Sequence, residues 1–359
     1  MLFSPYKLGS IELKNAIVMA PMTRNRSSSD NIPQPIVAHY YAQRASAGLI
    51  ITEGTSPSPN GVGYPRIPGI YNEEQITAWK SVTSAVHEKG GKIFLQLMHT
   101  GRVSHTSSLP SGACILAPSA IKMTGQIYTD AAGMQDYSEP KEMSLDEIEK
   151  AKQEYVQASI NAIAAGFDGV ELHAANGYLL EQFIAPMSNQ RTDEYGGSIE
   201  NRCRFALEVA KATIEAIGKE HIGIRFSPNG AFNDIIPYPE VAETYQYLAK
   251  EMNDLGLVYI HLVDHSSMGT PAVGENVVTG IRNAFKGTLI LSGGYDKAKA
   301  QKDLEDGKAE LIAFGRPFIG NPDLVERMES DLELSAPDFT TLYAPGEKGY
   351  TDYPAYSLV

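Results

Sequence analysis

The sequence predicts an α/β fold, a single (β/α)8 barrel over residues 1–359, and three observations carry that prediction. Short apolar runs alternate with amphipathic helical segments through most of the chain, the pattern of a parallel sheet. At 359 residues the chain exceeds the usual single-domain size but suits a barrel that carries insertions. Polar or glycine residues follow the apolar runs, as they do where loops gather at one barrel mouth.

The first five strands are expected at 16–20, 49–52, 92–97, 167–172 and 223–226, and the last three at 258–263, 288–291 and 310–314. The helices between them carry start and stop signals. Asn72 precedes a helix over 73–89 that stops at Gly90-Gly91. Ser144 and Glu147 form a capping box that opens a helix through Ala165, stopped by Gly166. Ser198 opens another that ends at Gly218, and Asp296 caps 297–305, closed by Gly307. Two regions exceed a minimal barrel. Residues 99–142, rich in Ser, Gly, Pro and Thr, form an insertion after strand three, read as a lid or hairpin excursion. The tail over 336–359 is turn-rich and holds Tyr343, Tyr350, Tyr353 and Tyr356.

Composition narrows the function. With 43% hydrophobic and 20% charged residues the chain is an ordinary globular one. A formal net charge of −13 argues against nucleic acid or an anionic membrane surface as the main partner. Two cysteines, Cys114 and Cys203, cannot build a disulfide framework or a four-thiolate cluster. The start shows no secretory pattern and no stretch approaches a membrane span, so the expected location is the cytoplasm.

Residues that follow a strand's C-terminal end converge on one mouth, however distant in sequence. Strand one leads into Pro21-Met22-Thr23-Arg24, strand two into Glu53-Gly54-Thr55, and strand three contains Gln96, followed by His99. Strand four leads to His173, Asn176 and Tyr178; strand five bears Arg225. Strands seven and eight end in Gly293-Gly294 and Gly315-Arg316. That last quartet offers close backbone N–H groups and a guanidinium where many barrels bind phosphate. Thr23, Gln96 and Arg225 suit a flat polar heterocycle, with Arg225 able to stabilise negative charge on it. His173 and Asn176, three apart, can hold a substrate oxygen while the Tyr178 phenol delivers a proton. Taken singly, each has an ordinary reading as a cap, a tight turn or a surface side chain; the convergence of seven strand ends favours a site. His39, His87, His221 and His261 read as structural, and no metal site is expected.

Six motifs, in order, resemble the Old Yellow Enzyme family of flavin-dependent ene-reductases, most closely its bacterial N-ethylmaleimide and nitrate-ester reductase branch. They lie at 20–26, 95–102, 173–178, 188–202, 314–322 and 350–354 and cover nearly the whole length. The resemblance implies FMN across the barrel mouth. Thr23 would bond the flavin carbonyl near N5, and Gln96 and Arg225 the pyrimidine edge. Gly293, Gly294, Gly315 and Arg316 would hold the phosphate. Ala20, Pro21, Met22 and Gly54 would approach the ring, and Tyr353 would close over the site. It implies ping-pong reduction of activated alkenes by NADPH or NADH, with His173 and Asn176 on the carbonyl or nitro oxygen and Tyr178 as proton donor. Tyr64 and Met98 would wall the substrate pocket; many relatives have Trp where Met98 stands. Nitrate esters or nitroaromatics are the alternative oxidants, and a monomer or homodimer the expected assembly. An iron–sulfur dienoyl-CoA reductase is disfavoured by the two cysteines, and a flavin-free aldolase or isomerase by the lack of a strand-end Lys.

Overall fold

A computed structural model describes residues 1–356; the last three positions of the predicted tail, 357–359, lie outside the described residues. Eight parallel strands close a barrel: β1 (Ile17–Met19), β2 (Leu49–Ile51), β3 (Ile93–Leu97), β4 (Gly169–Ala174), β5 (Ile222–Phe226), β6 (Tyr259–Val263), β7 (Thr288–Ser292) and β8 (Leu311–Phe314). All eight fall on the expected apolar runs, with ends moved by one or two residues. β4 differs most usefully, because it continues through His173 to Ala174 and so fixes the His173 backbone in the sheet.

Register sets the chemistry. Glu171 pairs with Gln96, His173 with Arg225, and Arg225 with His261 across neighbouring strands. Side chains in register on parallel neighbours leave the same face, so these residues share layers of the barrel interior. Large rings fill the layers below. Gly169 leaves room for Phe94, whose ring carbon would meet an added Cβ at 2.5 Å, and Gly223 does the same for Tyr259 at 2.1 Å.

The helices follow their caps. α1 (Pro35–Gln43) begins on its proline, and α2 (Glu73–His87) begins where Asn72 accepts from the Gln75 N–H. In α3 (Leu145–Ala164) the Ser144–Glu147 capping box is made in both directions. α4 (Ile199–Ile217), α5 (Val241–Leu255), α6 (Glu275–Ala284), α7 (Lys297–Glu305) and α8 (Leu324–Glu329) complete the outer ring. An N-terminal hairpin, Tyr6–Leu8 with Ile11–Leu13, buries Leu8 and Leu13. Its Tyr6 hydroxyl lies 2.7 Å from that of Thr288 at the start of β7, so the hairpin sits at the strands' N-terminal ends. The opposite end stays open for a site.

The insertion after β3 contains the expected hairpin, Gln126–Thr129 with Gly133–Asp136, and a short parallel pair, Leu116–Ala117 with Lys141–Glu142. Ile127 and Tyr137 pack with Val103 and Met123 against Tyr64 and Tyr178, which lays the hairpin over the barrel mouth. The tail returns to the same end. Tyr350 stacks on Tyr40 with ring centroids 4.0 Å apart, and the Arg24 and Arg26 guanidiniums donate to the carbonyls of Thr341, Leu342, Lys348 and Gly349.

Candidate active site

Two adjoining clefts open at the C-terminal ends of the strands, of about 880 and 930 Å³. They share Pro21, Thr23, Tyr64, Asn176, Tyr178, Arg225 and Tyr343. Gln96, Met98 and His173 belong to the first, under the hairpin; Ala20, Met22, Gly293, Gly294, Gly315 and Arg316 belong to the second. Residues from six of the seven strand ends named in the sequence therefore meet; Glu53, Gly54 and Thr55 after β2 line neither cleft.

The electrostatics suit a polar ligand. His173 is held well below its ordinary pKa by burial first, then by the Arg225, His261 and His265 charges, and so is a neutral imidazole. Its Nδ1, the Asn176 Oδ1, the Arg225 Nε and the His265 Nδ1 are all buried with no partner among the described residues. Four orphaned polar atoms on cleft-lining residues are costly unless a ligand satisfies them. Asn176 sits at φ 59°, a left-handed turn that Asn tolerates, and Gly177 follows at φ 75°. The Tyr178 phenol lies 3.2 Å from that of Tyr64 and edge-on to His173, with ring centroids 4.9 Å apart. Burial pushes the Tyr178 pKa up, opposed by the Tyr64 hydrogen bond.

Gln96 is fixed from beneath. Its Nε2 donates to Glu171 Oε1 at 2.8 Å, while Glu171 Oε2 faces His261 Nδ1 at 2.9 Å and His261 Nε2 lies 3.0 Å from Ser292 Oγ. With Nε2 engaged, the Gln96 carbonyl oxygen is the atom left to accept from a ring N–H. His261 is thus structural, as expected. His265, in contrast, lines the second cleft.

The glycines form a cradle. Gly293 and Gly294 adopt φ 118° and 64°, and a Cβ on Gly294 would meet Ser267 Cβ at 2.8 Å. Arg316 Nη2 donates to Ser267 Oγ at 3.2 Å, which holds the guanidinium beside them. A cradle that side chains would fill, beside a cation and in a cleft that also holds orphaned buried polar atoms, fits the phosphate and polar ring of FMN.

Two expectations change. Gly54 lines neither cleft; a Cβ there would come 2.5 Å from Met98 Sδ, so this glycine makes space for Met98, which does line the cleft. Tyr353 also lies outside both walls, with its hydroxyl accepting from the Asp338 N–H at 2.8 Å. The arginine-held tail instead brings Tyr343 to the mouth. Phe232, Asn233 and Ser267 were not singled out in the sequence, because single residues in long loops give no local signal of where they converge. Among the described residues, no group of three or more His, Cys, Asp or Glu could hold a metal ion, and no helix is long and apolar enough to cross a membrane.

Comparison with known proteins agrees with the geometry. 12-Oxophytodienoate reductase 1 of Oryza sativa subsp. japonica is 45% identical over 359 residues, spanning 98% of this chain and 92% of the relative. A protein of Leishmania infantum described as a probable flavin mononucleotide-dependent alkene reductase is 40% identical over 358 residues, spanning 99% and 97%. Among solved structures, morphinone reductase in complex with tetrahydroNAD superposes with a TM-score of 0.94 at 45% identity, covering 99% of this chain and 98% of that one. The old yellow enzyme homologue from Zymomonas mobilis gives 0.95 at 41% identity, covering 99% of each. The model of the NADH:flavin oxidoreductase / NADH oxidase family matches residues 1–335, and the chain belongs to that family.

Proposed function

We propose that this chain is an FMN-dependent NAD(P)H oxidoreductase that reduces the C=C bond of α,β-unsaturated carbonyl and nitro compounds. The observation that carries the reading is the triad at the end of β4: a neutral His173 and an unsatisfied Asn176 beside the Tyr178 phenol. FMN, when bound, accepts a hydride from the nicotinamide and supplies one to the alkene. Ala20, Pro21, Met22, Thr23, Gln96 and Arg225 would hold its ring, and Gly293, Gly294, Gly315 and Arg316 its phosphate.

The rest is the work of this chain's side chains. The His173 N–H and the Asn176 amide hold the substrate oxygen, and these hydrogen bonds strengthen as negative charge grows on it, which lowers the barrier. Arg225, in register with His173, adds positive potential to the same layer. Tyr178 delivers its proton to the α carbon; a phenol pushed up by burial stays protonated at neutral pH and an enolate is basic enough to take its proton. Tyr64, Met98, Tyr137 and Tyr343 wall the pocket. Within the family we favour the N-ethylmaleimide and nitrate-ester reductase branch, on the motif at 188–202, although Asn176 stands where close bacterial relatives carry a second histidine. A small-molecule enzyme of the cytoplasm, monomeric or homodimeric, fits the net charge of −13 and two free cysteines.

The test is anaerobic visible absorption of the purified protein. A yellow protein bleached by NADH or NADPH and recoloured by 2-cyclohexenone supports the reading. Recolouring by a nitrate ester or oxygen but not by the enone shifts the oxidant, and a colourless protein that takes up no FMN overturns the function.

A further inference from the structure

Glu181 lies in the short helix Leu179–Ile184 that follows Tyr178, and it is 2% exposed. Among the described residues it makes no ion pair, so its burial is not offset by a cation. A buried carboxyl of that kind is costly unless hydrogen bonds fill its lone pairs. Oε2 accepts from the Gly177 N–H at 2.6 Å; Oε1 accepts from Ser227 Oγ at 2.9 Å and from the Tyr245 hydroxyl at 2.8 Å. Ser227 Oγ in turn accepts from the Asn176 N–H at 2.8 Å.

The carboxyl thus grips two successive residues with positive φ, Gly177 directly and Asn176 through Ser227. Such a pair is unfavourable for a free chain, by about 1 kcal/mol or more at the Asn. This turn decides where the Asn176 amide and the Tyr178 phenol stand relative to His173. On the far side the Asn176 carbonyl accepts from Asn233 Nδ2 at 2.7 Å. That bond restrains the Asn176 carbonyl but leaves the Gly177 N–H to Glu181 and the Asn176 N–H to Ser227.

We propose that Glu181 is the positioning residue of the substrate-oxygen site, acting through Gly177 and the Ser227 relay to Asn176. The proposal rests on the function given above for His173, Asn176 and Tyr178. Burial also lifts the Glu181 carboxyl to about 7, as expected for a group held by neutral donors alone.

The experiment uses FMN-loaded enzyme and two readouts. Amide hydrogen exchange at Asn176 and Gly177 reports the grip itself, whatever the substrate. In Glu181→Gln, whose amide presents a donor to one of these donors, we expect at least tenfold faster exchange at both amides. In Ser227→Ala we expect it at Asn176, with Gly177 slowest to change. Tyr245→Phe, which removes a Glu181 bond that does not reach the turn, should leave both near wild type. The second readout is reoxidation of the reduced enzyme by 2-cyclohexenone. Glu181→Gln should lose about tenfold, and the same change made in an Asn176→Ala background should lose much less, since the group it positions is gone. Unchanged exchange in both Glu181→Gln and Ser227→Ala, or an equal loss with and without Asn176, overturns the proposal. If wild-type enzyme is not reoxidised by the enone the functional reading fails, and the exchange data alone still decide whether Glu181 holds the turn.

Discussion

The hydroxyls of Tyr64 and Tyr178 lie 3.2 Å apart, with the two rings edge-to-face at 6.3 Å. One phenol therefore stands behind the other at the base of the hairpin. Tyr178→Phe should slow reoxidation by an enone about 10²–10⁴-fold while leaving flavin reduction by the nicotinamide within a few-fold. Stopped-flow absorbance separates the two half-reactions, and equal losses in both would remove Tyr178 as proton donor. Tyr64→Phe deletes the larger of the two hydrogen bonds that lower the Tyr178 pKa, the other coming from Asn233, so the remaining phenol becomes a weaker acid and protonation slows by a smaller factor.

Met98 is 1% exposed and its sulfur would sit 2.5 Å from a Cβ on Gly54. Gly54→Ala must push Met98 toward the cleft, at a cost of about 1–3 kcal/mol in stability. We expect bound FMN to be retained and the ratio of rates on bulky and small enones to fall. Met98→Trp should move that ratio in the same direction. A ratio unchanged in both variants would remove Met98 as a pocket wall.

Binding of the cofactor can be tested apart from turnover. Arg316 is fixed by Ser267 beside Gly293 and Gly294, so Arg316→Ala should weaken FMN binding about 10–100-fold, the worth of one charge-assisted contact. Gly294→Ala adds a Cβ 2.8 Å from Ser267 Cβ at φ 64° and should weaken binding as well. Quenching of FMN fluorescence by apoprotein measures both. Full affinity in both variants would move the phosphate elsewhere.

Much of this was readable along the chain, for a physical reason. Strands such as Ile93–Leu97 and caps such as Ser144 and Asp296 are decided by neighbours within a few residues. Strand-end residues then converge because barrel topology requires it, which placed His173, Arg225 and Gly294 in one region. What could not be read depends on distant partners. Glu181 resembles any acidic residue in a short helix until Ser227 and Tyr245, 46 and 64 positions away, close on it. Similarly, four tyrosines in an irregular tail give no sign that Tyr343 and not Tyr353 reaches the mouth. That choice is made by the Arg24 and Arg26 side chains near the other end of the chain.

His99, just past β3, bears on stability against acid. Its Nδ1 accepts from the Gly101 N–H at 3.1 Å, and burial lowers its pKa from 6.5 to about 3. Between those values the unfolded chain binds a proton that the folded chain does not, so stability falls as pH falls, by about 1.4 kcal/mol per pH unit from this residue. His173, His261 and His265 are lowered too and act in the same direction. Glu53 and Glu181, both raised from 4.5 to about 7, oppose them, since over that window the folded chain holds protons that the unfolded chain has lost. Glu154, raised by burial, acts with these two carboxyls, and four histidines against three carboxyls leave a net loss of stability from pH 6.5 to 5. His99→Asn keeps an acceptor for the Gly101 N–H and cannot titrate. Urea unfolding at pH 7, 6 and 5 should show a shallower decline for this variant, by about one proton's worth, whatever its stability at pH 7. Parallel declines in the two proteins would mean that His99 takes up its proton while folded.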